Sequence, residues 1–516
     1  MNRLHKLVMR KSRWLILLIL MVAPVSIFSF GGDVYEVSIQ SNIDLNIINP
    51  ELDRSARMYD SEYIEGFNNR PLLDLGLSLF QGPWKFQTEI SILSLRPPLL
   101  LDASSLFSPM VKRAYLEYDT PFFYASIGRR KQSIGISDHN LFVNRDMPFH
   151  DGLNISVGNA TGFRFDSLIS VANTSRISEY DYTSPFVWVW DSADEKMILG
   201  NDEDPFNGQY YKYFMYHALS YVGKTWYAMI GESAILGNPK TPADFSIFTN
   251  IHNENSERAN VAIEIQIAKT FEEKVLVYLM GAVDDLPMLA SHMTPSMLAK
   301  TPSAVGIGGG IGWHAIEGDR FTFPSFDPDA GMRKNTRFGE MEGGLIISLD
   351  YSGLSRWMYV RTNQHHSAST FFPGYQSFYN YFFNPWFVSE PDHFSVPYGV
   401  KYGGDSQLLV LKGTYETERT KIVGTVELAL LGQDAQSRYG DIDYWGNANL
   451  STSDPEDSNY SKKWISSGNI QPLLVMDIAI ERGITEWLTA YAGISFLTAS
   501  FTDDKLILNL GMTAQL

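Results

Sequence analysis

Short segments of period-two alternation constrain this chain more than any other feature of its sequence. One of them places Ala259, Val261, Ile263, Ile265 and Ile267 on one face, and Asn260, Glu264 and Gln266 on the other. Similar segments begin at Tyr35, Trp84 and Leu506. Period two puts successive side chains on opposite faces of a β-strand. Each segment runs for roughly ten residues, which is the length a tilted strand needs to cross a bilayer.

Two architectures produce such alternation: a soluble sandwich and a transmembrane barrel. A sandwich has edge strands that need protection, whereas a closed sheet satisfies every backbone group in lipid. Hairpins follow one another along the chain, and aromatic residues, 13% of the total, cluster near strand ends. Beyond the N-terminal segment no apolar run approaches the ~18 residues of a membrane helix. We therefore predict an all-β fold, a transmembrane antiparallel up-and-down β-barrel.

The N-terminus has the pattern of a cleavable signal peptide. Five basic residues and no acidic ones precede the apolar run 14–22, and small residues follow, among them Ser29 and Gly31. A run this short with small residues after it favours cleavage, and a retained membrane anchor is the alternative. We expect a signal peptide over residues 1–31 and one barrel domain over 32–516, exported through the inner membrane to a bacterial outer membrane.

Short turns alternate with long connections, as outer-membrane barrels require. The predicted tight turns are 81–83, 120–121, 223–224, 418–419 and 483–485. The predicted long extracellular loops lie near 48–70, 133–151, 174–208, 237–256, 317–337, 364–396 and 434–468. This division gives about 18 strands, with a range of about 16–20.

Composition excludes several classes of function. The chain has no cysteine, so disulfides and thiolate metal sites are excluded. It carries 41 basic and 58 acidic residues, and removal of residues 1–31 leaves 36 against 58. A strongly acidic chain repels the phosphate backbone, so we expect no nucleic-acid partner. We also expect no cofactor and no metal.

Charged residues of both signs fall on the polar side of the predicted strands. In a barrel this side faces the lumen, where the charges either select a polar solute or pair with one another across strands. The candidate lumen-lining residues are Lys85, Glu89, Arg113, Glu117, Arg130, Arg164, Asp166, Glu264, Glu427, Asp477 and Glu481.

Two segments resemble a known family. Residues 128–153 run from a Gly-Arg-Arg-Lys cluster through a loop rich in Asn, Asp, Arg and His to a Pro-Phe pair, and residues 396–406 combine several glycines with Asp405. Both resemble stretches of the capsule-assembly Wzi-like outer-membrane barrels. The first of these segments departs from the family, because it has Ser133-Ile-Gly135 where we expect a tryptophan. The resemblance implies a barrel of about eighteen strands that retains or organises surface polysaccharide.

The long connections supply candidates for a glycan-binding or plug loop. Asn, Asp and Arg side chains hydrogen-bond sugar hydroxyls, and the run 371–387 holds ten aromatic residues in seventeen. We leave three roles open for this aromatic run: it plugs the lumen, it rests on the membrane surface, or it stacks against sugar rings. The candidates are Arg129, Asn144, Arg145, Asp146, Phe378, Tyr379, Tyr381 and Trp386.

Catalytic constellations are missing from the sequence. His150-Asp151 and His365-His366 have no Gly-x-Ser-x-Gly elbow and no HExxH helix beside them. Residues 202–208 lack the spacing of a calcium loop. We therefore expect no enzyme and no catalytic residue, and an outer-membrane hydrolase is the least favoured alternative.

The sequence leaves two main functions open. One is a Wzi-like protein associated with surface polysaccharide or capsule, and the other is a general or selective porin for small polar solutes. In either case the expected partners are outer-membrane lipid and the barrel-assembly machinery, together with a surface polysaccharide or small polar solutes.

Overall fold

A computed structural model of the protein describes residues 34–48, 73–94, 107–137, 139–144, 150–159, 161–173, 188–191, 196–199, 212–237, 259–272, 274–284, 304–319, 342–355, 358, 378–382, 393–397, 399–417, 419–432, 470–499 and 502–515. Within these residues the regular structure is entirely β. The strands are β1 Val34–Ile48, β2 Leu73–Gln81, β3 Trp84–Ser94, β4 Phe107–Asp119, β5 Phe123–Arg130, β6 His150–Gly158, β7 Gly162–Asn173, β8 Trp188–Asp191, β9 Lys196–Leu199, β10 Lys212–Val222, β11 Trp226–Gly237, β12 Ala259–Phe271, β13 Val275–Asp284, β14 Ala304–Asp319, β15 Glu342–Leu354, β16 Phe378–Phe382, β17 His393–Pro397, β18 Ser406–Glu416, β19 Thr420–Leu431, β20 Gln471–Gly483, β21 Leu488–Ala499 and β22 Thr502–Gln515.

Eighteen of these strands form one antiparallel sheet in which chain neighbours pair with one another. The first strand pairs with β2 through Val34–Ser41 and with β22 through Ser38–Ile48. Each strand of the sheet therefore has a hydrogen-bonded neighbour on both sides. The other four strands form two separate hairpins, β8–β9 and β16–β17. The predicted antiparallel up-and-down all-β fold is confirmed, and the strand number falls within the predicted range. No helix in the described residues is long and apolar enough to cross a membrane.

The two ends of the sheet differ in their connections. At one end, which we call the turn end, seven connections have only two to four residues, and all five predicted tight turns lie among them. The other end, the loop end, carries most of the long connections. The connection from β14 to β15 was predicted as a long extracellular loop near 317–337. That prediction is wrong about its side: β14 finishes and β15 begins at the turn end, where Asp319 pairs with Glu342.

The outer face of the sheet is apolar and exposed. Ile265 is 53% exposed on β12, whereas its neighbour Gln266, on the other face, is fully buried. The same difference in exposure between outward and inward side chains recurs around the sheet, because successive side chains of a strand point to opposite faces. Exposed aromatic side chains gather at the turn end: Trp84, Phe122, Phe123, Phe163, Tyr221, Trp226, Phe271 and Trp487. An apolar outer surface edged by aromatic residues is typical of a sheet that meets lipid.

The inner face is divided into two unlike parts. The inward residues of β10–β14 are buried along the whole strand, and many are apolar, for example Phe214, Leu276 and Met280. The inward residues of β3–β5 and β18–β20 are rich in charged side chains, among them Glu117 and Asp477. The inner face is therefore rich in charge in one part and largely apolar in the other. Strands with apolar residues on both faces need a cover on both faces.

Two connections supply the inner cover. Residues 131–144, between β5 and β6, and residues 399–405, before β18, lie against the inner face, and most of their residues are buried. We call these two segments the plug. The first was predicted as part of an extracellular loop. It instead turns into the barrel, because Ile134, Ile136, Leu141, Phe142 and Val143 find apolar partners there. Full burial of one such side chain stabilises by about 1.5–3 kcal/mol.

Candidate functional site

A buried polar network on β12 anchors the plug. Gln266 accepts a hydrogen bond at its Oε1 from the backbone N–H of Ile136, 2.9 Å away. Its Nε2 donates to Asn140 Oδ1 at 3.2 Å and to Glu264 Oε1 at 2.6 Å. Tyr216 on β10 donates to the other carboxyl oxygen of Glu264 at 2.9 Å. A buried polar group is stable only when it is hydrogen-bonded, so these residues specify one position for the plug.

The network extends to the neighbouring strand β13, and it requires a glycine at position 135. The hydroxyl of Tyr278 on β13 donates to Ser137 Oγ at 2.9 Å. The backbone N–H of Ser137 donates in turn to Asn140 Oδ1 at 3.0 Å. Gly135 has a φ of +118°, and a Cβ there would lie 2.6 Å from both Asn140 Oδ1 and Gln266 Nε2. Only glycine fits this position, since L-residues rarely adopt that φ and no space exists for a side chain.

The two segments of the plug are joined by one side chain. Asn144, fully buried, donates from Nδ2 to the backbone oxygens of Asn140, at 2.8 Å, and of Gly399. The second segment is held to β19, where Lys401 Nζ lies 3.2 Å from Glu427 Oε1 and the Tyr402 hydroxyl donates to the same oxygen. Asn154 on β6 adds a bond to Gln132 Oε1 at 3.0 Å. The plug is therefore fixed to widely separated parts of the sheet.

The eleven residues predicted to line the lumen all lie on the inner face, but in separate groups. Three pairs of them are in contact: Arg113 with Glu89 at 3.2 Å, Arg130 with Glu117 at 3.2 Å, and Arg164 with Asp166 at 2.8 Å. Lys85 lies over the Phe80 ring, and Asp477 and Glu481 lie on β20, apart from these pairs. Glu264 and Glu427 contact the plug. Their solute-selecting role stays a prediction.

Ion pairs with one another hold six of these eleven charged residues: two pairs join neighbouring strands, and Arg164 and Asp166 lie on the same strand, β7. The Arg130 guanidinium also donates to the Tyr124 hydroxyl and lies 4.5 Å from the centre of the Tyr115 ring. Asp166 accepts from Ser156 Oγ at 2.5 Å in addition to its ion pair with Arg164. A buried charge needs such partners, because an uncompensated charge in a low-dielectric interior is costly.

The eight glycan or plug candidates are scattered. Asn144 is central to the plug. Arg129 belongs to β5, on the outer face, and forms a two-bond ion pair with Asp151 at 2.7 and 2.6 Å. Phe378, Tyr379 and Tyr381 lie on β16, which pairs with β17 and lies beside β7. Arg145, Asp146 and Trp386, and most of the aromatic run 371–387, fall outside the described residues.

The histidines considered as catalytic candidates are not brought together. His150 is buried on β6, opposite Arg130, and its ring lies 6.1 Å from that of Phe214. His365 and His366 fall outside the described residues. Among the residues that the structure describes, no three His, Asp or Glu side chains are grouped in a way that could hold a metal ion.

Sequence reasoning identified Glu264 and Asn144 but missed Gln266, Asn140, Tyr216, Tyr278 and Gly135. One signal was present. The stretch 275–283 is apolar at almost every position, which is typical of a strand covered on both faces. The outer face is apolar, as on a sheet that meets lipid, and the inner face is covered by the plug.

Comparisons with known proteins give fold likenesses only. No protein-family model and no curated protein matches the chain. Among solved structures, the chain is similar to Wzi of Escherichia coli, described as a carbohydrate-binding β-barrel involved in group 1 capsule assembly, with 12% identity, 93% of this chain and 83% of that chain covered, and a TM-score of 0.49. It is also similar to the outer membrane protein OpdK of Pseudomonas aeruginosa, with 9% identity, coverage of 94% and 98%, and a TM-score of 0.40. OmpT of Vibrio cholerae gives 9% identity, coverage of 94% and 97%, and a TM-score of 0.32.

Proposed function

We propose that this protein is a non-catalytic outer-membrane β-barrel that holds or organises polysaccharide at the cell surface, and that it is not an open diffusion channel. The observation that carries the proposal is the plug. Barrels of sixteen to eighteen strands with open interiors are water-filled channels. Here residues 131–144 and 399–405 occupy the interior and are fixed by hydrogen bonds to β12, β13 and β19.

The membrane part of the proposal rests on the outer face. Every strand of the sheet has neighbours on both sides, so no strand edge is left to lipid. The outward side chains are apolar, and the turn end carries the exposed aromatic residues. Lipid stabilises such a surface, whereas water does not.

The glycan part of the proposal rests on the plug segments themselves. The two stretches that resemble the capsule-assembly family, residues 128–153 and 396–406, are the stretches that contain the plug. Their buried residues fix the interior, and the chain on either side of them emerges at the loop end of the sheet. A rigid barrel that is plugged near its loop end gives a fixed platform, on which loop-end side chains meet a polymer without loss of much conformational entropy.

A chromosomal deletion tests this function directly. Cells that lack the protein are expected to release surface polysaccharide into the medium, while uptake of small sugars stays unchanged. Complementation by the full chain is expected to restore the cell-associated polymer. The purified full chain in planar bilayers is expected to be electrically silent. Stepwise conductance from the unaltered chain, or a polysaccharide coat unaffected by the deletion, contradicts the proposal.

A further inference from the structure

The inner face has a second region that the plug does not cover. In the half of β15, β18, β19 and β20 near the loop end, inward residues such as Leu354, Val410 and Ala429 are buried under residues 399–405. In the half near the turn end, the inward residues Ser348 and Thr425 are only half-buried. By contrast, the inward residues of β10–β14 stay buried down to the turn end, for example Ala268 and Leu276. Water therefore reaches one side of the interior beneath the plug.

Charged side chains line this region. From β18 through to β4 its half-buried inward residues include Lys85, Arg113, Lys412 and Lys421 together with Glu89, Glu416, Asp477 and Glu481. The ion pairs there are partly solvated: the Arg113 side chain is 40% exposed, and Lys421 lies 3.7 Å from Glu416. An ion pair in a dry interior is shielded from water, as Arg164 and Asp166 are. The partial exposure of these charges therefore indicates that water is in contact with them.

The roof of this region belongs to the plug. Lys401 and Tyr402 bond Glu427 on β19, and Thr425 lies two residues nearer the turn end on the same face of that strand. The alternation of the strand therefore places Thr425 directly below the roof.

We infer that the turn-end half of the interior, from β15 through β22 to β4, is a water-filled chamber roofed by the plug, and that it binds a small neutral solute rich in hydroxyl groups or a zwitterion. Cations and carboxylates stand side by side on its wall, as Arg113 with Glu89 and Lys421 with Glu416, so an ion of one sign meets attraction and repulsion together. Hydroxyl groups and zwitterions, however, use donors and acceptors together. The inference rests on the plug and does not depend on the polysaccharide role.

The natural absence of cysteine makes the chamber measurable. Single variants Thr425→Cys and Ser348→Cys of the full chain, purified in detergent, are treated with a cationic and an anionic methanethiosulfonate. Ala268→Cys, an inward and buried position on β12, is the matched control. Thiol reactivity depends on access, so we expect both chamber variants to react at least ~30-fold faster than the control. At Thr425 the cationic and anionic reagents should differ by less than ~3-fold, because Lys412 and Asp477 lie on either side of it on the neighbouring strands.

Each result decides one part of the inference. If the two chamber variants are labelled as slowly as Ala268→Cys, the chamber does not exist. Because the two positions lie on different strands, the test still holds if one variant misfolds. A preference of ~10-fold or more for one reagent overturns the neutral solute class. Sucrose or glycine betaine at high concentration is expected to slow the labelling of Thr425→Cys, and sodium chloride of equal osmolality is not. Failure of the deletion experiment leaves all these rates unchanged, so the two proposals fail separately.

Discussion

Replacement of Gln266 by alanine should release the first segment of the plug without unfolding the barrel. The side chain makes three hydrogen bonds, to the Ile136 N–H, Asn140 and Glu264, at 2.9, 3.2 and 2.6 Å. Two of these bonds, to Ile136 and Asn140, join the sheet to the plug. Each contributes about 0.5–1.5 kcal/mol net, so their loss weakens the docked state by about 1–3 kcal/mol. At 1.4 kcal/mol per factor of ten, the equilibrium between docked and released plug should shift by about 5- to 140-fold.

Hydrogen exchange measured by mass spectrometry follows this equilibrium directly. Amides of the peptide that spans residues 134–143 should exchange faster by that factor in Gln266→Ala, while amides of β12 keep their protection. Gln87→Ala is the matched control, because Gln87 also faces inward and accepts one bond, from Tyr115 at 2.5 Å, away from the plug. Equal exchange of the 134–143 peptide in the two variants would refute the view that the Gln266 network holds the plug.

Three further predictions test other parts of the structure. Gly135→Ala should lower the midpoint of thermal release of the plug, through a strained φ and a clash, whereas Gly413→Ala, with open space around it, should be neutral. Arg164→Leu should destabilise the barrel by about 3–5 kcal/mol in denaturant titrations, because Asp166 loses its buried partner, and an unchanged midpoint would show that the pair is solvated. Ile265→Arg should cost about 2–4 kcal/mol in lipid and reduce the folded fraction seen by heat-modifiable gel migration, but only if this face meets lipid.

Alternation was enough to predict the sheet. In β12, Ile265 and Gln266 belong to opposite faces by period two alone, and the structure keeps that assignment. The tight turns followed from Gly, Pro and Thr between alternating segments, as at Gly82-Pro83. These features are local, so a sequence of ten residues contains all the information they need.

The plug could not be predicted in the same way. Ile136 bonds a residue 130 positions away, and Asn144 bonds a residue 255 positions away. No local pattern specifies partners at such distances. The side of the β14–β15 connection was missed for a different reason: length alone was taken to indicate an extracellular loop, whereas strand order decides the end at which a connection lies.

The long sequence separations within the plug impose an order on assembly. Residues 131–144 are complete when β5 and β6 pair, yet their partners on β12 and β13 come more than 120 residues later. Until those strands have formed, the apolar residues of this segment have no partners in the sheet, so its docking follows the pairing of β12 and β13. Closure of such distant contacts is expected to make folding slow.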